Sequence, residues 1–171
     1  MRKLLLVALA VAVCCSVVMA QSKIDTKWHC SPGAAGNKLD VGDAPDHVYW
    51  IGQGTCDATT TGGTFKEKTG AYTEFRDEWK ASFTFHGYYN VSMDNGDTVY
   101  YTYEGSSSTD IAKPVANRWK VVGGTGKYKG IKGSGGCKGK ANADGSNDLT
   151  CTGTYSTGKA AMDKAAKKDK M

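Results

Sequence analysis

The fold of this chain is decided by residues 119–136, Trp119-Lys-Val-Val-Gly-Gly-Thr-Gly-Lys-Tyr-Lys-Gly-Ile-Lys-Gly-Ser-Gly-Gly136. A short apolar run ends at Val122, a glycine-rich segment follows, and an alternating run comes next. This is the pattern of a strand, a tight turn and a second strand. Gly123, Gly124 and Gly126 can adopt positive φ at no steric cost, so we expect them to form the turn. The later glycines lie inside a strand-like run, where glycine marks a bend, a bulge or the close approach of another element.

The same glycines do not form a nucleotide site. A phosphate-binding loop needs Ser or Thr after its lysine, but Lys127 is followed by Tyr128, and no helical pattern comes next to present N–H groups. We therefore predict no cofactor.

The chain begins with a predicted secretory signal peptide over residues 1–20. Arg2 and Lys3 form the charged region, Leu4 to Val13 the apolar region, and a small-residue cleavage site ends at Ala20. We expect a β-barrel domain over residues 21–158, a basic C-terminal tail with helical composition over residues 159–171, and a secreted or periplasmic location.

Four cysteines remain after the signal peptide. An even number of cysteines in an exported chain predicts disulfides, and no Cys-x-x-Cys pair suggests zinc. Cys137 and Cys151 flank the turn signal Ala143-Asp-Gly-Ser146 symmetrically, so we predict that they pair across a hairpin. Cys30 and Cys56 then pair by elimination.

Turn signals recur at short intervals and separate eight β-rich runs, which is typical of a sandwich or a barrel. The predicted strands are Ile24–Cys30, His47–Cys56, Thr64–Thr73, Lys80–Met93, Thr98–Glu104, Asn117–Val122, Tyr128–Ala141 and Leu149–Tyr155.

A resemblance to a known family strengthens the choice of a barrel. The segment Val122-Gly-Gly-Thr-Gly-Lys-Tyr128, followed by Gly130-Ile131 and Gly133, resembles the strand-turn-strand signature of the allene oxide cyclase-like superfamily, which includes the plant dirigent proteins. The resemblance implies an all-β fold, a single closed antiparallel eight-stranded barrel with an apolar lumen, in a secreted protein of bacterial type. It carries over no activity, because the catalytic positions of characterised members have no match here.

Aromatic residues predominate among the candidate lumen residues. Alternation along the predicted strands puts Trp79, Phe85, Tyr101 and Trp119 on inward faces. An eight-stranded barrel is just wide enough to be packed solid or to hold one small ligand, so these rings form either a ligand site or plain core. The candidates for ligand binding are Trp28, Tyr49, Trp79, Phe85, Tyr89, Tyr101, Tyr103 and Trp119.

Other polar residues offer weaker candidates. His29, His47 and His86 lack the spacing of metal ligands, and His86 is predicted on the outer face, so we predict no metal site. The segment Glu74-Phe-Arg-Asp-Glu78 forms either a solvated loop or an acid beside Arg76 at the barrel mouth. Asp94-Asn-Gly-Asp97 is predicted to be a hairpin turn.

Charge excludes one class of partner. The whole chain carries a net charge of +5, and the lysines of the tail account for most of what remains after Arg2 and Lys3 are removed. The barrel itself is nearly neutral and has no basic face for nucleic acid. We expect no membrane association after cleavage of the signal peptide. The sequence does not decide whether the chain forms a homo-oligomer.

The sequence favours binding of a small apolar or amphipathic molecule in the lumen, without turnover. A cyclase or isomerase acting on a hydrophobic substrate in the lumen is one alternative. A structural or interaction protein with a packed lumen is another. Two titratable groups within hydrogen-bond reach in an open cavity would favour the enzyme.

Overall fold

The computed structural model describes residues 21–34 and 36–157. The predicted signal peptide (1–20) and basic tail (159–171) lie outside the described residues. Apart from one short 3-10 helix over Gly126–Tyr128, all regular structure in these ranges is β. No helix in the described part of the chain has the length and apolarity needed to cross a membrane.

The described residues form nine strands, and eight of these overlap the predicted runs. Most are long for a small domain, as the tilted strands of a barrel require. They are β1 Ser22–Cys30, β2 Asn37–Asp40, β3 Val48–Thr61, β4 Glu67–Trp79, β5 Ser82–Met93, β6 Thr98–Ser108, β7 Val115–Gly124, β8 Lys132–Ala141 and β9 Asn147–Ser156.

The strands close into a barrel, which confirms the predicted fold class. The sheet order is β1-β9-β8-β7-β6-β5-β4-β3-β2, and an additional pairing of β1 with β3 joins the two ends. All pairings are antiparallel. The short strand β2, which the sequence did not predict, pairs with the first part of β3 and continues the line of β1 along that strand.

One end of the barrel is closed by apolar packing. Alternate residues of each strand point inward, as the pleat requires. Phe65, in the connection between β3 and β4, is only 1% exposed and folds under this end. Its ring centroid lies 5.4 Å from that of Tyr128 and 4.5 Å from that of Tyr155. The lumen therefore has a solid floor.

The predicted glycine turn lies three residues further along the chain than expected. Gly123 and Gly124 are the last residues of β7 and pair with Tyr100 and Val99, so their assignment to the turn is wrong. A bulge between Val121 and Gly123 extends the strand. The prediction is correct for Gly126, which has positive φ, as does Gly130, and these two residues bracket the 3-10 helix.

Both predicted disulfides are present. Cys137 pairs with Cys151 across the β8–β9 hairpin, and the two residues are direct cross-strand partners. Cys30 pairs with Cys56 across β1 and β3. This second bridge crosses the seam where the barrel closes. Such bridges are typical of proteins in oxidising compartments.

Candidate functional site

The barrel encloses a cavity of about 400 Å³ above the Phe65 floor. Its lining includes the exposed residues Asp110, Ile111 and Lys113, from the connection between β6 and β7. The cavity, called the lumen below, therefore opens to solvent at this end. The mouth is formed by the start of β5, the end of β6, the start of β7 and the β8–β9 turn.

Six of the eight aromatic candidates line the lumen: Trp28, Phe85, Tyr89, Tyr101, Tyr103 and Trp119. The predicted inward positions of Phe85 on β5, Tyr101 on β6 and Trp119 on β7 are therefore confirmed. Whether these rings bind a ligand stays a prediction.

Tyr49 and Trp79 do not line the lumen. They are 51% and 44% exposed and lie on the outer face. Trp79 ends β4 rather than beginning β5, because the chain turns at Lys80 and Ala81, and this turn reverses the inward and outward positions. On β3 the even-numbered residues Gly52 and Cys56 are buried, so Tyr49 points outward.

Glycines support the rings from behind. Four lumen rings lie opposite a glycine in the adjacent strand: Tyr72 with Gly54, Phe85 with Gly105, Tyr103 with Gly87, and Trp119 with Gly135. At each of these glycines a β-carbon would collide with the partner ring. The rings therefore lie against bare backbone. For Gly135 the sequence left open a bend, a bulge or close approach, and the structure shows close approach to Trp119. This arrangement of rings against glycines keeps the lumen open.

A buried carboxyl group lies at the deep end of the lumen. Glu67 is 7% exposed. Its Oε2 accepts a hydrogen bond from Thr26 Oγ1 at 2.6 Å, and its Oε1 accepts one from Tyr101 Oη at 2.7 Å. Burial raises the pKa of Glu67, and the two hydrogen bonds oppose that rise only in part. The group can therefore exchange a proton closer to neutral pH than an ordinary glutamate.

A second acidic group lies nearer the mouth. Glu74 Oε2 accepts a hydrogen bond from Tyr103 Oη at 3.0 Å, and Glu74 Oε1 accepts one from Arg76 Nε at 2.6 Å. Arg76 Nη1 also lies 3.7 Å from Glu78 Oε1. The guanidinium group of Arg76 lies over the rings of Trp50 and Phe83. The sequence left open an acid beside Arg76 at the mouth, and this is the observed arrangement. The alternative of a solvated loop is wrong, since these residues belong to β4.

Three polar atoms of lumen residues have no hydrogen-bond partner within the described ranges: Tyr89 Oη, Trp119 Nε1 and Asn117 Oδ1. Burial, followed by the negative charge of Glu67, raises the pKa of Tyr89 and of Tyr101, so both phenols keep their protons. Buried donors without partners are rare in native proteins. Side chains that line the lumen thus hold two donors and one acceptor that are buried and have no partner in the described chain.

The histidines lie outside the lumen. His29 Nδ1 is 2.8 Å from Asp148 Oδ1, and His86 stacks on Phe75 on the outer face. His47 lies between Asp43 and Asp77, with ring nitrogens 2.6 and 2.8 Å from their Oδ1 atoms. Across residues 21–34 and 36–157, no group of three or more His, Cys, Asp or Glu side chains is arranged to hold a metal ion.

Sequence reasoning missed several lumen residues, notably Glu67, Tyr72 and Asn117. Glu67 lies between two lysines and looks exposed in the sequence, but a bulge between Glu67 and Thr69 turns it inward. A usable signal did exist for β4, because Tyr72, Glu74 and Arg76 follow each other at the two-residue spacing of one strand face.

Comparison with known proteins adds a likeness in structure. No protein-family model matches the chain, and no curated protein matches it. Among solved structures, the chain is similar to the pterocarpan synthase dirigent protein GePTS1, with a TM-score of 0.42 and 13% identity over 80% of this chain and 83% of that chain. The assignment of the fold rests on the strand pairings themselves, and the superfamily stays a prediction.

Proposed function

We propose that this protein is exported and binds a small apolar or amphipathic molecule in the lumen of its barrel, without turnover. The volume of about 400 Å³ falls within the range of small-molecule sites, and aromatic walls with a few polar atoms are typical of them. The two disulfides support export, since such bridges persist in oxidising compartments.

One observation carries the proposal. The N–H of Trp119 and the O–H of Tyr89 are buried and have no partner in the described chain, and both belong to side chains that line a lumen opening to solvent. A packed structural barrel would leave no such space, and its donors would be paired. An amphipathic molecule whose acceptor reached these donors after a small movement of the two rings would satisfy them, while its apolar body covers the other rings of the lumen.

The test uses N-phenyl-1-naphthylamine, a neutral dye whose fluorescence rises in apolar surroundings. Asn117→Phe adds a ring inside the lumen without removing a hydrogen bond, because the Asn117 carbonyl has none. We expect the wild type to bind the dye and Asn117→Phe to bind it roughly tenfold more weakly or worse. Lys120→Phe, on the outer face of the same strand, is the matched control and should bind like the wild type. Equal binding by all three proteins would exclude the lumen as the site.

A second candidate is an isomerase or cyclase. It is favoured by the stated criterion of two titratable groups within hydrogen-bond reach in an open cavity, which Glu67 and Tyr101 meet at 2.7 Å between Oε1 and Oη. A carboxyl group with a raised pKa in an apolar lumen can take a proton from one carbon of a substrate and return it to another. The test is deuterium exchange at C1 of 2-tetralone in D₂O, followed by NMR. General base catalysis would make exchange roughly a hundredfold faster with the wild type than with Glu67→Gln. Equal rates would leave binding as the function.

A further inference from the structure

We propose that the lumen selects an organic cation: an amine or quaternary ammonium group carried on an apolar body. This inference rests on the proposed function and specifies the class of ligand. Three features of the lumen support it, namely the orientation of its rings, its excess of acidic residues and the position of Arg76.

The glycines show which side of the rings the ligand meets. A β-carbon at Gly70 would fall on Cζ, Oη and Cε2 of Tyr89, and β-carbons at Gly135 and Gly153 would fall on the six-membered ring of Trp119. Trp119 lies against these paired glycines through the Cζ2–Cη2 side of its ring. Three atoms of the Tyr89 side chain lie almost equally close to the β-carbon position at Gly70, so one face of the Tyr89 ring rests on the wall there. The opposite face of Tyr89 is therefore turned away from the wall. That face carries the negative part of the ring quadrupole, which attracts cations.

The charged residues of the lumen are mostly acidic. Among the described residues that line it, the acids are Glu67, Glu74, Glu78 and Asp110, and the bases are Arg76 and Lys113. Arg76 is engaged by Glu74 and Glu78, Glu78 is also paired with Lys38 at 3.1 Å between Oε2 and Nζ, and Lys113 lies at the exposed rim. The deep carboxyl group of Glu67 has no basic partner. An anionic ligand would be repelled here, and a cationic one would be attracted.

The protein already places one cation on such a surface. The guanidinium carbon of Arg76 lies 4.4 Å from the centroid of the Trp50 ring and 4.8 Å from that of Phe83. This is the geometry of a cation over aromatic faces, with a carboxylate beside it. Deeper in the lumen, the ring of Tyr89 and the carboxyl group of Glu67 offer a comparable combination without an internal cation among the described lining residues. A ligand cation would occupy there the role that Arg76 occupies near the mouth.

The experiment compares two molecules of nearly the same shape, phenyltrimethylammonium and tert-butylbenzene, which differ in one positive charge. Each displaces N-phenyl-1-naphthylamine from the full chain, with the hydrocarbon kept below its solubility limit. We expect the cation to displace the dye at a concentration lower by roughly tenfold or more, the gain that desolvated cation–π contact supplies. Glu67→Gln should reduce this preference severalfold and leave tert-butylbenzene unaffected. Glu104→Gln removes a carboxylate from the outer face of β6 and should change neither value.

The outcomes separate the two proposals. If the dye binds and the two competitors displace it equally, or neither displaces it, the inference of cation selectivity is wrong while lumen binding stands. If the dye itself fails to bind, the proposed function falls and the inference falls with it. A preference for the cation that survives Glu67→Gln unchanged would contradict the role given to Glu67.

Discussion

Gly70 offers the sharpest test of how the lumen is kept open. In Gly70→Ala, the new β-carbon would overlap three atoms of the Tyr89 side chain. Tyr89 also contacts Trp28, with ring centroids 5.4 Å apart, and both rings line the lumen, so we expect a ring displaced from Gly70 to narrow it. Overpacking of this kind costs about 1–3 kcal/mol. Replacing glycine in a strand returns about 0.5–1 kcal/mol of backbone entropy. The expected net loss of stability is about 1 kcal/mol, or about 4 °C in Tm.

Gly123→Ala is the matched control. Gly123 also lies in a strand, but the nearest atom to its added β-carbon is Tyr100 Cδ2 at 3.6 Å, an ordinary contact. This variant should gain about 0.5–1 kcal/mol. Urea unfolding of both variants measures the difference, and dye titration measures the lumen, which Gly70→Ala should narrow. If Gly70→Ala is as stable as Gly123→Ala and binds dye like the wild type, then the packing of aromatic rings against in-strand glycines is not what keeps the lumen open.

Three further predictions concern the bridges and two titratable groups. Replacing both cysteines of the β8–β9 bridge, which spans 14 residues, with serine should lower the free energy of unfolding by about 3 kcal/mol. The same change at the β1–β3 bridge, which spans 26 residues, should lower it by about 3.5 kcal/mol. Urea unfolding measures both values, and a loss under about 1 kcal/mol for either bridge would contradict its structural role. Burial lowers the pKa of His47, but hydrogen bonds to Asp43 and Asp77 outweigh burial and raise the pKa overall. Protonated His47 should therefore stabilise the fold at low pH, and this stabilisation should be lost as pH rises through the raised pKa. If Tm falls over this pH range equally in the wild type and in His47→Gln, His47 is not the cause of the fall. Because the pKa of Glu67 is raised on folding, stability should fall as pH rises from its ordinary value through the raised one; Glu67→Gln should abolish the fall, and a wild-type profile flat over this range would count against it.

Much of the fold was predictable because it depends on local signals. The turn at Ala143-Asp-Gly-Ser146 fixes the hairpin register, and Cys137 and Cys151 fall opposite each other in consequence. The Asp94–Asp97 turn does the same for β5 and β6, with positive φ at Gly96. Between such turns, simple alternation placed Phe85, Tyr101 and Trp119 inward.

The errors have local causes too. The turn at Lys80 and Ala81 contains no Gly, Pro or Asn, so nothing in the sequence separated Trp79 from the strand that follows. Glu67 was missed because the bulge between Glu67 and Thr69 reverses the inward and outward positions of the residues before it, and simple alternation along the sequence cannot reveal a bulge. Pairing across the lumen, as between Glu67 and Thr26, depends on barrel closure and has no signature in either strand alone.

The most direct test of lumen binding uses the indole N–H signals of the four tryptophans in a ¹⁵N-labelled protein. Trp119 and Trp28 line the lumen, whereas Trp79 lies on the outer face. Titration with N-phenyl-1-naphthylamine should shift the Trp119 signal progressively, because the Trp119 side chain lines the lumen, and should leave the Trp79 signal in place. A shift confined to Trp79, or no shift of Trp119 at saturating dye, would contradict the claim that this barrel binds its ligand inside.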